Sequence, residues 1–142
     1  MYQMVQKISV HGRTSGTPDA VYALLLDGAT WPRWSPLGSF RLLDKKDGEL
    51  GALRRFRTTV FRSDEEIVAL EPGRRFGYAL RSGLPLRDYV AYVDLAPAEG
   101  GTEIHWHSSF RAKIPGTGRF YRWFLGHFIG RMVAGLAKAT TS

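Results

Sequence analysis

Two histidines, His105 and His107, flank a tryptophan in the stretch GTEIHWHSSF. A His-x-His pair can ligate a metal, transfer protons or decorate an exposed strand, and which of these holds depends on the direction the strand faces. The other groups able to do chemistry are the phenols of Tyr78 and Tyr89, the guanidinium of Arg54 within RRFR, and the adjacent acids Glu65 and Glu66. Cysteine is absent, which excludes disulfides and thiolate chemistry and leaves zinc only imidazole and carboxylate ligands. No nucleophile–base motif and no phosphate-binding loop is present.

Strand parity decides the histidines. Thr102, Ile104, Trp106, Ser108 and Phe110 form one face, and Glu103, His105, His107, Ser109 and Arg111 the other. In the preceding strand Tyr89, Ala91, Val93 and Leu95 oppose Asp88, Val90, Tyr92 and Asp94. Joining the apolar faces in a hairpin favours the register that pairs Leu95 with Ile104, Val93 with Trp106, Ala91 with Ser108 and Tyr89 with Phe110. A slip of two residues keeps the same faces and shifts these pairs. Only the apolar face can be buried, so the histidines point away from the interior, with Asp94 opposite His105 and Tyr92 opposite His107. A metal would need a third ligand, from Glu103 or Asp94. The histidines read instead as exposed ladder residues, with no metal bound and Asp94 as a cross-strand partner of His105.

The elements that position these groups follow from pattern. QMVQKISVHGR alternates as a first strand. In SGTPDAVYALLLDG, Thr17 is a natural N-cap, Pro18 takes the first helical position, Asp19 complements the dipole and Gly28 stops the helix. TWPRWSP predicts a second short helix capped by Thr30. FRLLD, ALRRFRTTVF, SDEEIVAL, RFGYALRS, DYVAYVDLAP and TEIHWHSSFR predict six further strands, with EPGRR as a tight turn centred on Pro72 and Gly73. The last segment is one long helix, with Tyr121, Phe124, Leu125, Phe128, Met132, Leu136 and Ala139 as its apolar stripe. Gly126, Gly130, Ala134 and Ala137 form a strip of small residues that suggests close backbone approach or bending. The fold class is α+β: a seven-stranded curved antiparallel sheet with one long helix to cover it, as a single domain over residues 1–142.

Net charge is +7, unevenly placed: after Glu103 there is no acid, while Arg111, Lys113, Arg119, Arg122, Arg131 and Lys138 follow. These read as solvated faces, with an anionic partner as the sharper alternative. No nucleic-acid motif is present, so nucleic acid is not expected as a partner. The N-terminus lacks a signal-peptide layout and no apolar run approaches the ~20 residues that span a bilayer, so a cytoplasmic protein is expected.

TPDAVYALLLDGATWPRW, IVALEPGRRFGYAL, DLAPAEGGTEIHW and the C-terminal helix, in that order, resemble the START-like (SRPBCC, helix-grip) superfamily and within it the polyketide cyclase/dehydrase-like group. The resemblance spans essentially the whole chain. It implies a deep cavity between sheet and C-terminal helix that holds a hydrophobic or aromatic molecule, and it brings no universal catalytic residues. The residues expected to contact a ligand are Trp34 at the rim, Arg54, Phe56, Tyr78, Tyr89, Trp106 and Phe110 from the sheet, and Phe124 and Phe128 from the helix. Trp31 is expected only to staple the two short helices, and Arg54 either to enter the cavity or to snorkel to water.

Three functions follow as expectations. The first is binding of a lipid- or polyketide-like molecule, without a cofactor, by a monomer or homodimer. The second is cyclase/aromatase or dehydratase chemistry using Tyr78, Tyr89 and Arg54, weakened because no inward His or carboxylate is evident. The third is a membrane-surface or partner-binding role for the basic helix, where Trp123 lies among Arg119 and Arg122.

Overall fold

The computed structural model of the chain describes residues 4–141. The elements run β1 (Gln6–Thr14), α1 (Pro18–Leu26), a 3-10 turn (Gly28–Thr30), α2 (Trp31–Trp34), β2 (Ser39–Asp44), β3 (Leu53–Arg57), β4 (Arg62–Glu71), β5 (Arg75–Ser82), β6 (Leu86–Ala98), β7 (Gly101–Ala112) and α3 (Gly118–Ala139). Gln3, placed in the first strand by the sequence, lies outside the described residues. The strands form one antiparallel sheet in the order β1-β7-β6-β5-β4-β3-β2. This is the expected α+β helix-grip architecture.

Local chemistry explains most boundaries. Thr17 Oγ1 accepts from Ala20 N at 3.1 Å and starts α1. Thr30 does not cap α2. Its hydroxyl donates back to the carbonyls of Leu24 and Asp27, and Asp27 instead caps the 3-10 turn by accepting from Ala29 N. The expected strand over residues 52–61 is broken. Thr58 Oγ1 accepts from Val60 N and Phe61 N, a side-chain turn that competes with the ladder, so β3 ends at Arg57 and Val60 is exposed. The Pro72–Gly73 turn closes through Arg74 N to Glu71 O, with Gly73 at φ +71°.

The β6–β7 hairpin has the predicted register from Val90 to Ala98, including Val93 with Trp106 and Leu95 with Ile104. It fails at Tyr89 and Phe110. A bulge between Arg87 and Val90, with Asp88 at φ +55°, shifts the ladder there, although the two rings still meet at 5.9 Å. Thr102, Ile104, Trp106, Ser108 and Phe110 are buried, while His105 and His107 are only half-buried on the outer face.

α3 buries Leu125, Ile129, Met132, Val133 and Leu136, whereas Tyr121, Phe124 and Phe128 are half-buried and Ala139 is exposed. Ile129 and Val133 were missing from the expected stripe. They are buried because α3 packs along β1 as well as over the sheet, where a side chain on Gly12 would collide with Val133. Close approach occurs at Gly135, where a Cβ would stand 1.6 Å from the Trp34 carbonyl oxygen. At Gly126 and Gly130 a Cβ would meet nothing, so these glycines are not set by close packing, whereas Ala137 at the end of the strip packs against the core. With Lys7 to Val10, Arg122, Trp123, His127 and Arg131, the residues Gly126, Gly130 and Ala134 line an open surface groove of about 590 Å³.

Candidate functional site

The space beneath α3 is mostly filled. Trp31 is the hub of the interior rather than a staple between short helices: it is 1% exposed and its ring meets those of Trp34, Phe56, Phe76, Tyr78 and Trp106. Its indole N–H donates to Leu25 O at 3.1 Å, and that of Trp34 to Thr30 Oγ1 at 3.1 Å, so both polar edges are satisfied inside. Trp34, Phe56, Trp106 and Phe110 are buried in this aromatic core. The deep cavity implied by the resemblance is therefore reduced to a small, partly enclosed space of about 30 Å³, room for one or two water molecules.

Tyr78, Tyr89 and Phe128 line that space, with Leu37, Phe61, Ser63, Glu65, Leu80, Leu84, Leu125, Ile129 and Met132. Phe124 lies instead on a larger groove of about 520 Å³ outside, together with Val60, Arg62, Phe120 and Tyr121. Phe61 and Leu84 line both spaces and so form the wall between them. Phe61 packs edge-on against Phe124 and Phe128 at 5.8 and 5.2 Å.

Arg54 points inward, and its donors are already engaged. Nε donates to Asp47 Oδ1 at 2.6 Å, Nη1 to Leu25 O at 3.0 Å and Nη2 to Leu26 O at 2.5 Å. Burial lowers its pKa from the ordinary value, and Asp47 opposes that shift. The guanidinium caps the C-terminal carbonyls of α1 and stacks on Phe76 and Trp31, at 5.2 and 5.5 Å from their centroids. It neither reaches the cavity nor snorkels to water.

A buried carboxylate is present after all. Glu65, the register partner of Arg54, faces inward and accepts from Ser63 Oγ at 2.7 Å. Burial pushes its carboxyl up to about 7; the Ser63 hydrogen bond and the Arg54 charge oppose the shift without cancelling it. Tyr89 is pushed up to about 12, by burial first, and Tyr78 lies well above its usual value for the same reason. Trp106 Nε1 donates to Tyr78 Oη at 3.3 Å, and the Tyr78 hydroxyl is in turn hydrogen-bonded to Tyr89, so the two phenols form one linked pair. An acid that titrates near neutrality beside a phenol donor can move a proton at a carbon next to a carbonyl and stabilise the oxyanion. The signal for Glu65 was in the sequence: it shares parity with Ile67, an apolar residue that is buried.

The outer face differs from expectation in one contact. Asp94 stands opposite His105 in the register, yet its Oδ2 bonds His107 Nε2 at 2.7 Å. Arg75, the partner of Asp94 on the other side, grips the carboxylate through Nε at 2.6 Å and Nη2 at 3.0 Å and turns it diagonally. His105 Nε2 bonds Ser9 Oγ at 2.8 Å.

A long helix gripped by a curved antiparallel sheet, over an interior cavity with a polar end, defines a helix-grip protein of the START-like superfamily. The chain belongs to the family described as "Polyketide cyclase / dehydrase and lipid transport", whose model matches residues 6–141. No curated protein matches the chain. Solved structures are similar in fold at low identity. A protein from Chromobacterium violaceum is 22% identical, with TM-score 0.69 over 96% of this chain and 97% of that one. Major latex-like protein 151 from Panax ginseng is 12% identical, with TM-score 0.77 over 98% and 99%. Norcoclaurine synthase from Thalictrum flavum, in complex with dopamine and hydroxybenzaldehyde, is 10% identical, with TM-score 0.76 over 96% and 87%. Among the described residues no helix is long and apolar enough to cross a membrane.

Proposed function

We propose that the chain binds a small apolar or aromatic molecule carrying one carbonyl or hydroxyl group, held between the sheet and α3. The observation that carries this reading is the polar end made by Ser63, Glu65, Tyr78 and Tyr89 in an otherwise apolar cavity, separated from a 520 Å³ groove only by Phe61 and Leu84. Moving those two side chains joins the spaces into a site in the size range of small-molecule pockets. The groove accepts the apolar body and the tyrosines meet the oxygen. The family description, which includes lipid transport and cyclisation, is consistent with such a guest.

The test is a titration with a panel of fatty acids, phenols and aryl ketones, followed by native mass spectrometry and tryptophan fluorescence. One guest per chain is expected, and Tyr78→Phe weakens its binding about tenfold, the worth of one good buried hydrogen bond. Absence of binding across the panel, or affinity unchanged by Tyr78→Phe, overturns the reading.

A second reading is favoured by Glu65: an enzyme of cyclase or dehydratase type, with Glu65 as acid–base and Tyr78 as oxyanion donor. It replaces the role first given to Arg54. Glu65→Gln would abolish turnover of a bound ketone while leaving its affinity within a few-fold.

A further inference from the structure

The outer face of the sheet carries a cluster that the cavity does not use. β7 presents His105 and His107 two residues apart, and β6 brings Asp94 alongside. One ligand atom from each lies within 4.8 Å of the others. Ligands held about 2.1 Å from a tetrahedral ion stand about 3.4 Å apart, so modest side-chain rotation closes the set round one centre. Of the two candidate third ligands, Glu103 and Asp94, it is Asp94 that joins the histidines, with its carboxylate held by Arg75.

Two of the donors are also held from behind. Arg75 fixes Asp94 through both carboxylate oxygens. Ser9 occupies His105 Nε2 and leaves the other ring nitrogen free. The His11 ring stacks on His105 at 4.2 Å with planes 5° apart, and His105 stacks on His107 at 4.5 Å. Partners of this kind orient ligating side chains. All three donors are half-buried, and an open groove of about 330 Å³ runs beside the histidines, lined also by Lys7, Ser9 and Tyr92.

We propose that Asp94, His105 and His107 form a binding site for one divalent transition-metal ion of the zinc class, with a fourth position open to the groove. Two imidazoles and one carboxylate favour zinc, nickel or copper over magnesium and calcium. The ion takes the place of the hydrogen between His107 Nε2 and Asp94 Oδ2, and acid opposes binding because a protonated imidazole has no lone pair to give. The adjacent Arg75 cation opposes a second positive charge, so the site is weaker than a closed structural zinc site. His11 acts as a positioning residue through its stacked ring.

The experiment uses the full chain, stripped with chelator, titrated with zinc chloride by calorimetry and with cobalt(II) by visible absorption. One ion per chain is expected, with cobalt bands of tetrahedral intensity. His105→Ala and His107→Ala each lower affinity at least tenfold, Asp94→Asn does so to a similar degree, and His11→Ala lowers it only a few-fold. His127→Ala, outside the cluster, changes nothing. Circular dichroism confirms that each variant is folded, and His107→Gln provides a second variant that keeps the side chain's bulk and hydrogen bonding. The proposal is overturned by the absence of saturable binding, by half an ion per chain, or by affinity that survives His105→Ala and His107→Ala or falls with His127→Ala.

Discussion

Glu65 and Asp94 are carboxylates on opposite faces of the same sheet, and their environments push them in opposite directions. Inside, Glu65 accepts from one serine hydroxyl, and burial raises its carboxyl to about 7. Outside, burial also pushes Asp94 up, but Arg75 and His107 outweigh it and hold the carboxyl below its usual value. An arginine stands near each acid. Arg75 gives its fork to Asp94, whereas Arg54 is committed to Asp47 and the end of α1. The lesson is that a carboxylate's pKa follows the hydrogen bonds its oxygens receive, more than the nearness of a cation. A buried group that receives a single neutral hydrogen bond and no cationic fork is the one poised for proton transfer.

Truncation of the inner face should show the largest effect. Trp106→Ala removes a fully buried ring that packs on Trp31, Trp34 and Tyr78, and should cost about 3–5 kcal/mol in urea unfolding. A loss below about 1 kcal/mol would mean that the inner face is not a packed core.

The pH dependence comes next. Glu65 has a folded pKa of about 7 against an ordinary 4.5, so between these values the native state holds a proton that the unfolded chain has released. Its contribution to stability is complete below pH 4.5, falls as the pH rises through about 7, and is flat above that. The total loss is at most about 3 kcal/mol. Glu65→Gln should flatten that segment of the stability–pH curve. An unaltered curve would put Glu65 in water and erase the contrast with Asp94.

The smallest effect belongs to the outer face. In His105→Ala, without added metal, stability should change by no more than about 0.5–1 kcal/mol, because a half-buried ring on a solvated strand face loses little. Burial, together with the neighbouring His107 and His11, already lowers its pKa against the pull of Asp94. A loss comparable to that of Trp106→Ala would show that the two faces are equally structural.

What could be read beforehand was periodic. The alternation of Thr102 to Phe110 fixes both faces of β7 and most of its register, and Thr17-Pro18-Asp19 marks the start of α1. What could not be read depends on contacts between distant segments. Trp31 is central because five rings from other elements or the next turn converge on it, which no local pattern encodes. Arg54 is occupied by a loop aspartate and by carbonyls nearly thirty residues earlier. The size of the cavity follows from how aromatic rings pack, and period alone gives no volume. Glu65 was within reach through Ile67, but a pair of adjacent acids hides which one turns inward, and the ladder to β5 shifts register between Asp64 and Glu65.

The two ends of α3 are held very differently. Toward its C-terminus Gly135 lies against the Trp34 carbonyl, and Thr140 Oγ1 bonds Thr14 Oγ1 at 2.9 Å. Toward its N-terminus Phe120 and Trp123 are exposed, and Phe124 and Phe128 lean on Phe61. A rod clamped at one end and resting on aromatic rings at the other is a cantilever. A guest that displaced Phe61 would load the N-terminal half of α3, while the anchored root would keep the rest of the fold in register.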